Sequence, residues 1–185
     1  MLNEERRRFL LKAARGAINN YLKTGELKIA RTDDPALLEP KGAFVTLHKD
    51  EELRGCIGLI ESTFPLNETI CRMAVEAAVG DQRFPAVTLS ELPGLKIEIS
   101  VLTIPKKVSG PEEIVMLRDG VIVKRGYCQG VFLPQVAAET GWDREKFLSI
   151  LCSQKAGLHP DAWKERETEF YTFQAEVFSE KDERT

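Results

Sequence analysis

The hydrophobic period of this chain switches repeatedly between helical and strand spacing, and that pattern constrains the fold more than any single motif. From Phe9 to Leu22 the apolar residues Phe9, Leu10, Ala13, Ala14, Ala17, Ile18, Tyr21 and Leu22 recur at helical spacing. Asn3 is placed to cap this helix and Gly25 to end it. Residues 26–41, with Pro35 and Pro40, read as an irregular connection. Ala43–His48 and Leu53–Glu61 then alternate as two strands joined by the polar turn Lys49-Asp-Glu-Glu52. After Pro65 the helical period returns through Leu66, Ile70, Met73, Ala74, Ala77 and Ala78 and stops near Gly80. A loop, Asp81-Gln-Arg-Phe-Pro85, leads to an alternating strand from Leu95 to Ile104.

The second half continues in the same mixed style. Residues 114–133 read as a meander, with a tight type I′ turn at Asp119-Gly120 and a second reversal at Arg125-Gly126. Pro134 suits the first turn of a short helix that stops at Gly141. Asp143 caps the next helix, whose Phe147, Leu148, Leu151 and Cys152 form a core stripe before Gly157. Thr168–Phe178 alternates as one closing strand. Helices and strands mixed without regular β-α-β alternation predict an α+β fold, with mixed or antiparallel sheets flanked by helices. With 185 residues, the expectation is a single domain over 1–185 made of a larger and a smaller interdependent lobe. The polar tail Ser179–Thr185 is expected to be flexible.

Composition narrows the function classes. Twenty-six basic against 29 acidic residues give a formal charge of -3, which argues against a nucleic-acid or anionic-membrane partner at the level of the whole chain. A local basic cluster, Arg118, Lys124 and Arg125 with Tyr127, keeps a phosphate or single-stranded ligand open, although charged turns are usually solvated. The apolar stretches fall short of the roughly 18 residues a membrane span needs. The start of the chain reads as helix and not as a signal peptide, so a cytoplasmic protein is expected. The cysteines Cys56, Cys71, Cys128 and Cys152 are scattered without a C-x-x-C pair, and only His48 and His159 are available to join them. Free thiols are the expectation, no zinc site is indicated, and the sequence names no cofactor.

Leu53-Arg-Gly-Cys-Ile-Gly58 is the chemically unusual stretch. If the strand is regular, Arg54, Cys56 and Gly58 share one face, while Leu53, Gly55 and Ile57 share the other. Arg54 and Cys56 then lie about 6.6 Å apart at roughly 3.3 Å per residue, a range at which a guanidinium favours the thiolate. Gly55 and Gly58 remove side chains beside the thiol, so another backbone or a ligand can approach. The bland reading is a structural cysteine beside a tight contact or bulge. His48 is the nearest general base, yet in a regular hairpin it opposes Leu53 and faces away from Cys56, and one bulge would reverse that. Asp81 and Arg83 sit in the loop that follows the second helix, either as part of a cleft or as a local ion pair. Glu98, in mid-strand, is either solvated or paired with Arg54 in the same site.

Leu53–Gly58 and the preceding Phe44-Val-Thr-Leu47 resemble the AMME chromosomal region gene 1 (AMMECR) domain family, whose microbial members are called AmmeMemoRadiSam system protein A. The likeness continues at Asp81–Pro85, Ile97–Val101, Gly130–Gln135, Gly141–Asp143 and Leu151–Gly157, and so runs through nearly the whole chain in order. The resemblance implies a compact α+β domain of a larger and a smaller lobe, with partners that include a Memo-like protein and a radical S-adenosylmethionine (SAM) protein. It carries no established reaction. Arg54, Gly55, Cys56 and Gly58 match the family signature, whereas Lys49-Asp-Glu-Glu52 stands where the family often has a glycine.

Two functions follow as expectations. In the first, a cleft built from Arg54, Gly55, Gly58, Glu98, Asp81, Arg83 and His48 binds a small anionic ligand or a partner segment. In the second, Cys56 is a nucleophile activated by Arg54, with Glu98, His48 or Asp81 moving a proton.

Overall fold

A computed structural model describes residues 1–180, and these divide into two compact units, Met1–Leu102 with Glu176 onward and Thr103–Ala175. The first unit begins with α1, Glu4–Thr24. The Asn3 side chain accepts from the Arg6 N–H at 2.9 Å, and Gly25 closes the helix at φ +74°, a left-handed geometry that glycine adopts without strain. A short α2, Pro35–Leu38, interrupts the connection expected to be irregular, capped by the Asp34 side chain at Ala36 N. Strands β1, Ala43–Lys49, and β2, Glu52–Leu59, precede α3, Leu66–Val79. Then come β3, Leu95–Leu102, and, from the far end of the chain, β8, Ala175–Ser179.

These strands form one sheet in the order β2-β1-β3-β8. Ala43, Val45 and Leu47 of β1 and Ile97 and Ile99 of β3 are fully buried together with Leu10, Ile18, Ile70 and Ala74 of the helices. The helices therefore cover one face of the sheet. Each Leu or Ile removed from water in this layer contributes about 1.5–3 kcal/mol. A second cluster, Ala13, Ala17, Cys71 and Val75, joins α1 to α3 directly, so α3 is apolar on two sides.

The second unit holds the sheet β4-β7-β5-β6: β4 is Lys106–Val108, β5 Gly120–Arg125, β6 Cys128–Phe132 and β7 Glu169–Phe173. Helices α4, Pro134–Thr140, and α5, Arg144–Ile150, complete it, and a wider π-type turn continues α5 over Leu151–Lys155. Phe147, Leu148, Leu151 and Cys152 pack with Val121, Val123, Phe132 and Phe170. Two antiparallel sheets with flanking helices make the α+β class plain.

Three expectations change. Asp119-Gly120 is not a hairpin turn: Gly120 opens β5, and buried Asp119 instead accepts from the Val115 N–H at 2.9 Å and from Arg118, ordering the bend before the strand. The closing strand is two strands, β7 and β8, which belong to different sheets and part at Gln174. The tail is ordered at its start, since Ser179 ends β8 and Glu180 binds Arg15 and the Ile97 N–H. Residues 181–185 lie outside the described residues.

Candidate functional site

The register of β1 against its neighbours decides what the signature can do. From Ala43↔Leu59 to Leu47↔Gly55 the β1–β2 pairing is regular; it then shifts so that His48 opposes Leu53, with Arg54 as the extra residue. This bulge reverses the parity expected for His48. His48, Thr46 and Phe44 lie on the sheet face away from the helices, and Cys56, opposite Thr46, shares that face. Across three strands the face carries the rows Gly58–Phe44–Ser100, Cys56–Thr46–Glu98 and Leu53–His48–Lys96. His48, Cys56 and Glu98 are thus brought together, while Leu53 leaves the core face and is 42% exposed.

Shared face is not contact. Thr46 Oγ1 donates to Cys56 Sγ at 3.2 Å, whereas His48 sits two positions along β1, about 6.6 Å away on an ideal strand. Burial pushes the Cys56 thiol up; the Thr46 hydrogen bond and the Arg83 charge oppose this, and Asp81 and Glu98 add to it. The charges that act on it most are those of Arg83, Asp81 and Glu98, and Arg54 is engaged elsewhere, by Glu91. The expected Arg54–thiolate coupling is therefore replaced by a protonated thiol with a hydroxyl partner.

Arg54 serves a different purpose. Its Nε donates to Glu91 Oε1 at 2.8 Å and its Nη2 to Glu91 Oε2 at 3.2 Å, with both side chains largely buried. The guanidinium lies 6.0 Å from the Phe84 ring, and Nη1 is buried without a hydrogen-bond partner among the described residues. The Arg54–Glu98 pairing considered from the sequence is replaced by Arg54–Glu91. Asp81 and Arg83 complete the arrangement. Asp81, 5% exposed, accepts the Cys56 N–H at 2.9 Å, and Arg83 Nη2 donates to the Cys56 carbonyl at 3.2 Å. Arg83 also grips Asp81 through Nε at 2.9 Å and Nη2 at 2.7 Å.

The reason is topological. β2 is an edge strand, and the main-chain groups of Cys56 point away from β1. A carboxylate and a guanidinium satisfy them as a neighbouring strand would. This also makes Thr46–Cys56 a pair without main-chain hydrogen bonds, the closer type, which lets the two side chains meet. Arg83, with help from the Cys56 and Arg83 N–H groups, holds the Asp81 carboxyl well below the usual carboxylate range against the cost of burial.

The glycines are filled from within. A Cβ on Gly55 would lie 2.1 Å from the Ala77 carbonyl of α3, and one on Gly58 would lie 2.2 Å from the Phe44 ring. Close approach is confirmed at both, by α3 backbone and by an aromatic side chain. Arg54, Gly55, Gly58, Asp81 and Arg83 are therefore largely occupied within the fold, and His48, Thr46, Cys56 and Glu98 are the groups left facing out. Sequence reasoning missed Thr46 and Glu91. Thr46 carried the signal of a polar position in an alternating strand, whereas Glu91 carried none.

Elsewhere, Arg118 pairs with Asp119 and Arg125 with Glu165, and Lys124 lies 5.0 Å from the Tyr171 ring, so the basic cluster has its own local partners. Among the described residues no group of three or more His, Cys, Asp or Glu side chains is placed to hold a metal ion, and no helix is long and apolar enough to cross a membrane.

Comparison with known proteins adds a lineage to this geometry. The AMMECR1 family model matches residues 11–178. Protein PH0010 of Pyrococcus horikoshii is 44% identical over 97% of this chain and 92% of its own length. Protein MK0488 of Methanopyrus kandleri is 46% identical over 98% of this chain and 91% of its own. The crystal structure of PH0010 superposes with a TM-score of 0.90 at 43% identity, covering 97% of this chain and 94% of that one. With a family match spanning almost every element and relatives this similar over more than nine-tenths of their length, the chain belongs to the AMMECR1 family.

Proposed function

We propose that this domain is a recognition module that binds a polar partner segment on the β1–β2–β3 face, and that it is not a thiol enzyme. The observation that carries this reading is the state of Cys56. Its sulfur accepts a hydrogen bond from Thr46, burial disfavours its thiolate, and the histidine that shares its face lies one row away. A nucleophilic cysteine needs a depressed pKa or a base in contact, and Cys56 has neither.

The outward rows instead offer a hydroxyl, an imidazole and a carboxylate, all half-buried. Such a surface suits directional recognition of a peptide group or a basic side chain. The small-anion alternative loses support because Arg54 is already neutralised bidentately by Glu91. The Memo-like and radical SAM proteins implied by the family resemblance are the partners to assay first, with the domain acting beside them as an accessory protein in the cytoplasm.

Two measurements test the reading. Alkylation of native protein, with Cys56 located by mass spectrometry, should accelerate only above about pH 8.5, the ordinary cysteine range. Rapid labelling near pH 6 would restore the nucleophile. In titrations with the purified Memo-like and radical SAM partners, Glu98→Lys and His48→Glu should weaken binding at least tenfold while Cys56→Ser leaves it intact. Loss of binding in Cys56→Ser alone, or no binding to either partner, overturns the proposal.

A further inference from the structure

A concavity of the first unit borders this face at Lys96 and otherwise runs along α1. It is a groove of about 1150 Å³ lined by α1, the Pro93-Gly94 turn and the end of β8. Arg8, Leu11, Lys12 and Arg15 stand at i, i+3, i+4 and i+7 and so form one stripe of α1 along it. Arg15 is committed, since Glu180 and the carbonyls of Leu92 and Leu95 take its guanidinium. Arg7 is likewise held by Glu176. Among the described residues Arg8 meets only Glu4, at 3.2 Å with both side chains well exposed at 66% and 76%. Lys12 is exposed and has no counter-ion among the described residues.

The opposite wall supplies main-chain groups. β8 is the outer strand of its sheet. The Glu180 N–H reaches the Ile97 carbonyl at 3.0 Å, so by strand alternation Glu180 and Phe178 turn their peptide groups toward β3. Those of Val177 and Ser179 then point outward, and Ser179 lines the groove. Leu11 and Leu95 give the groove an apolar floor, and Gly94 leaves open space where a side chain would stand.

We propose that this groove docks an extended acidic segment of a partner protein, which adds as a strand to the outer edge of β8 and sets its carboxylates against Lys12 and Arg8. Its volume exceeds the range of about 300–1,000 Å³ usual for small-molecule clefts, which favours a peptide. Strand addition uses main-chain bonds for affinity and flanking side chains for selection, and the cations not consumed by the fold select for negative charge. The groove meets the β1–β2–β3 face only at Lys96 and includes none of Thr46, His48, Cys56 or Glu98, so the two readings fail separately.

The test titrates the full chain with a labelled peptide alternating valine and glutamate, with its valine–lysine counterpart, and with oligothymidylate. The glutamate peptide should bind saturably, shift the Val177 and Ser179 amide resonances, and lose affinity as salt rises from about 50 to about 500 mM. Arg8→Glu with Lys12→Glu should weaken it at least tenfold, and Glu98→Lys should not. Ser179→Pro, which removes an outward N–H at an edge where proline is tolerated, should also weaken it and provides the test if the charge-reversed chain fails to fold. Unmoved Val177 and Ser179 resonances, indifference to these substitutions, or equal binding of oligothymidylate would overturn the proposal.

Discussion

Asp81 shows how much one residue of the signature region contributes to holding the fold. It is buried, accepts the outward N–H of an edge strand, and takes two hydrogen bonds from the Arg83 guanidinium and one from the Arg83 N–H. Replacing it with alanine leaves the Cys56 N–H without its acceptor, and charged hydrogen bonds of this kind are worth about 1.5–3 kcal/mol. Asp81→Ala should lower unfolding free energy by about 2 kcal/mol in urea titrations. The pH dependence has a defined sign. A carboxyl whose folded pKa is depressed contributes stability above its unfolded value of about 3.9, and that stability is lost as pH falls below it. The gap between wild type and Asp81→Ala should therefore be constant from about pH 5 to 7 and close in stronger acid. A gap that persists unchanged in acid would rule out the charged clamp. Gly55 offers a second test. A methyl group there meets the Ala77 carbonyl at 2.1 Å, and backbone cannot swing aside. Gly55→Ala should cost about 3 kcal/mol by overpacking, and a variant of wild-type stability would show that β2 and α3 are not so closely joined.

At the level of elements, the β1–β2 hairpin explains both what the sequence made legible and what it concealed. The alternation of Ala43–Lys49 and the core stripe of α3 were readable because burial on one face imposes a period. The bulge at Arg54 was not, because register depends on one extra residue that leaves composition unchanged, and that residue reversed the placement of His48. The capping of β2 by Asp81 and Arg83 was equally hidden, since a loop ion pair and an edge clamp have the same sequence. The turn is legible in retrospect. Lys49 pairs with Glu52, leaving Asp50 and Glu51 as a two-residue loop at φ 51° and 66°. Both values lie in the left-handed region that type I′ turns require and that glycine fills best. Glu51→Gly should raise stability by about 0.5–1 kcal/mol, the relief of left-handed strain less the added freedom of the unfolded chain. Denaturation midpoints measure it, and a lower midpoint would mean that Glu51 is held by contacts stronger than its strain.

On the scale of the molecule, the chain leaves the first unit after Leu102 and returns at Glu176, so the outer strand of the first sheet comes from the last described residues. Period could not reveal this return. Tyr171, Phe173, Ala175 and Val177 alternate straight through Gln174, and alternation does not say which sheet a strand joins. The returning segment is bound tightly within its unit. Glu176 takes Arg7 and the Leu2 N–H, Glu180 takes Arg15 and the Ile97 N–H, and Phe178 enters the core at 9% exposure beneath Arg7. Contacts that span the chain in this way carry the largest closure cost in the unit, because the entropy of joining distant segments must be met before they reward it. Phe178→Ala removes the apolar anchor of that closure and should cost about 3–4 kcal/mol. Amide exchange at Leu47 and Ile99, buried on the inner strands of the same sheet, should speed up with it, since the energy to open those strands includes releasing β8. Unchanged exchange at both would mean that the inner strands keep their protection without β8, and that the return of the chain decorates the first unit without completing it.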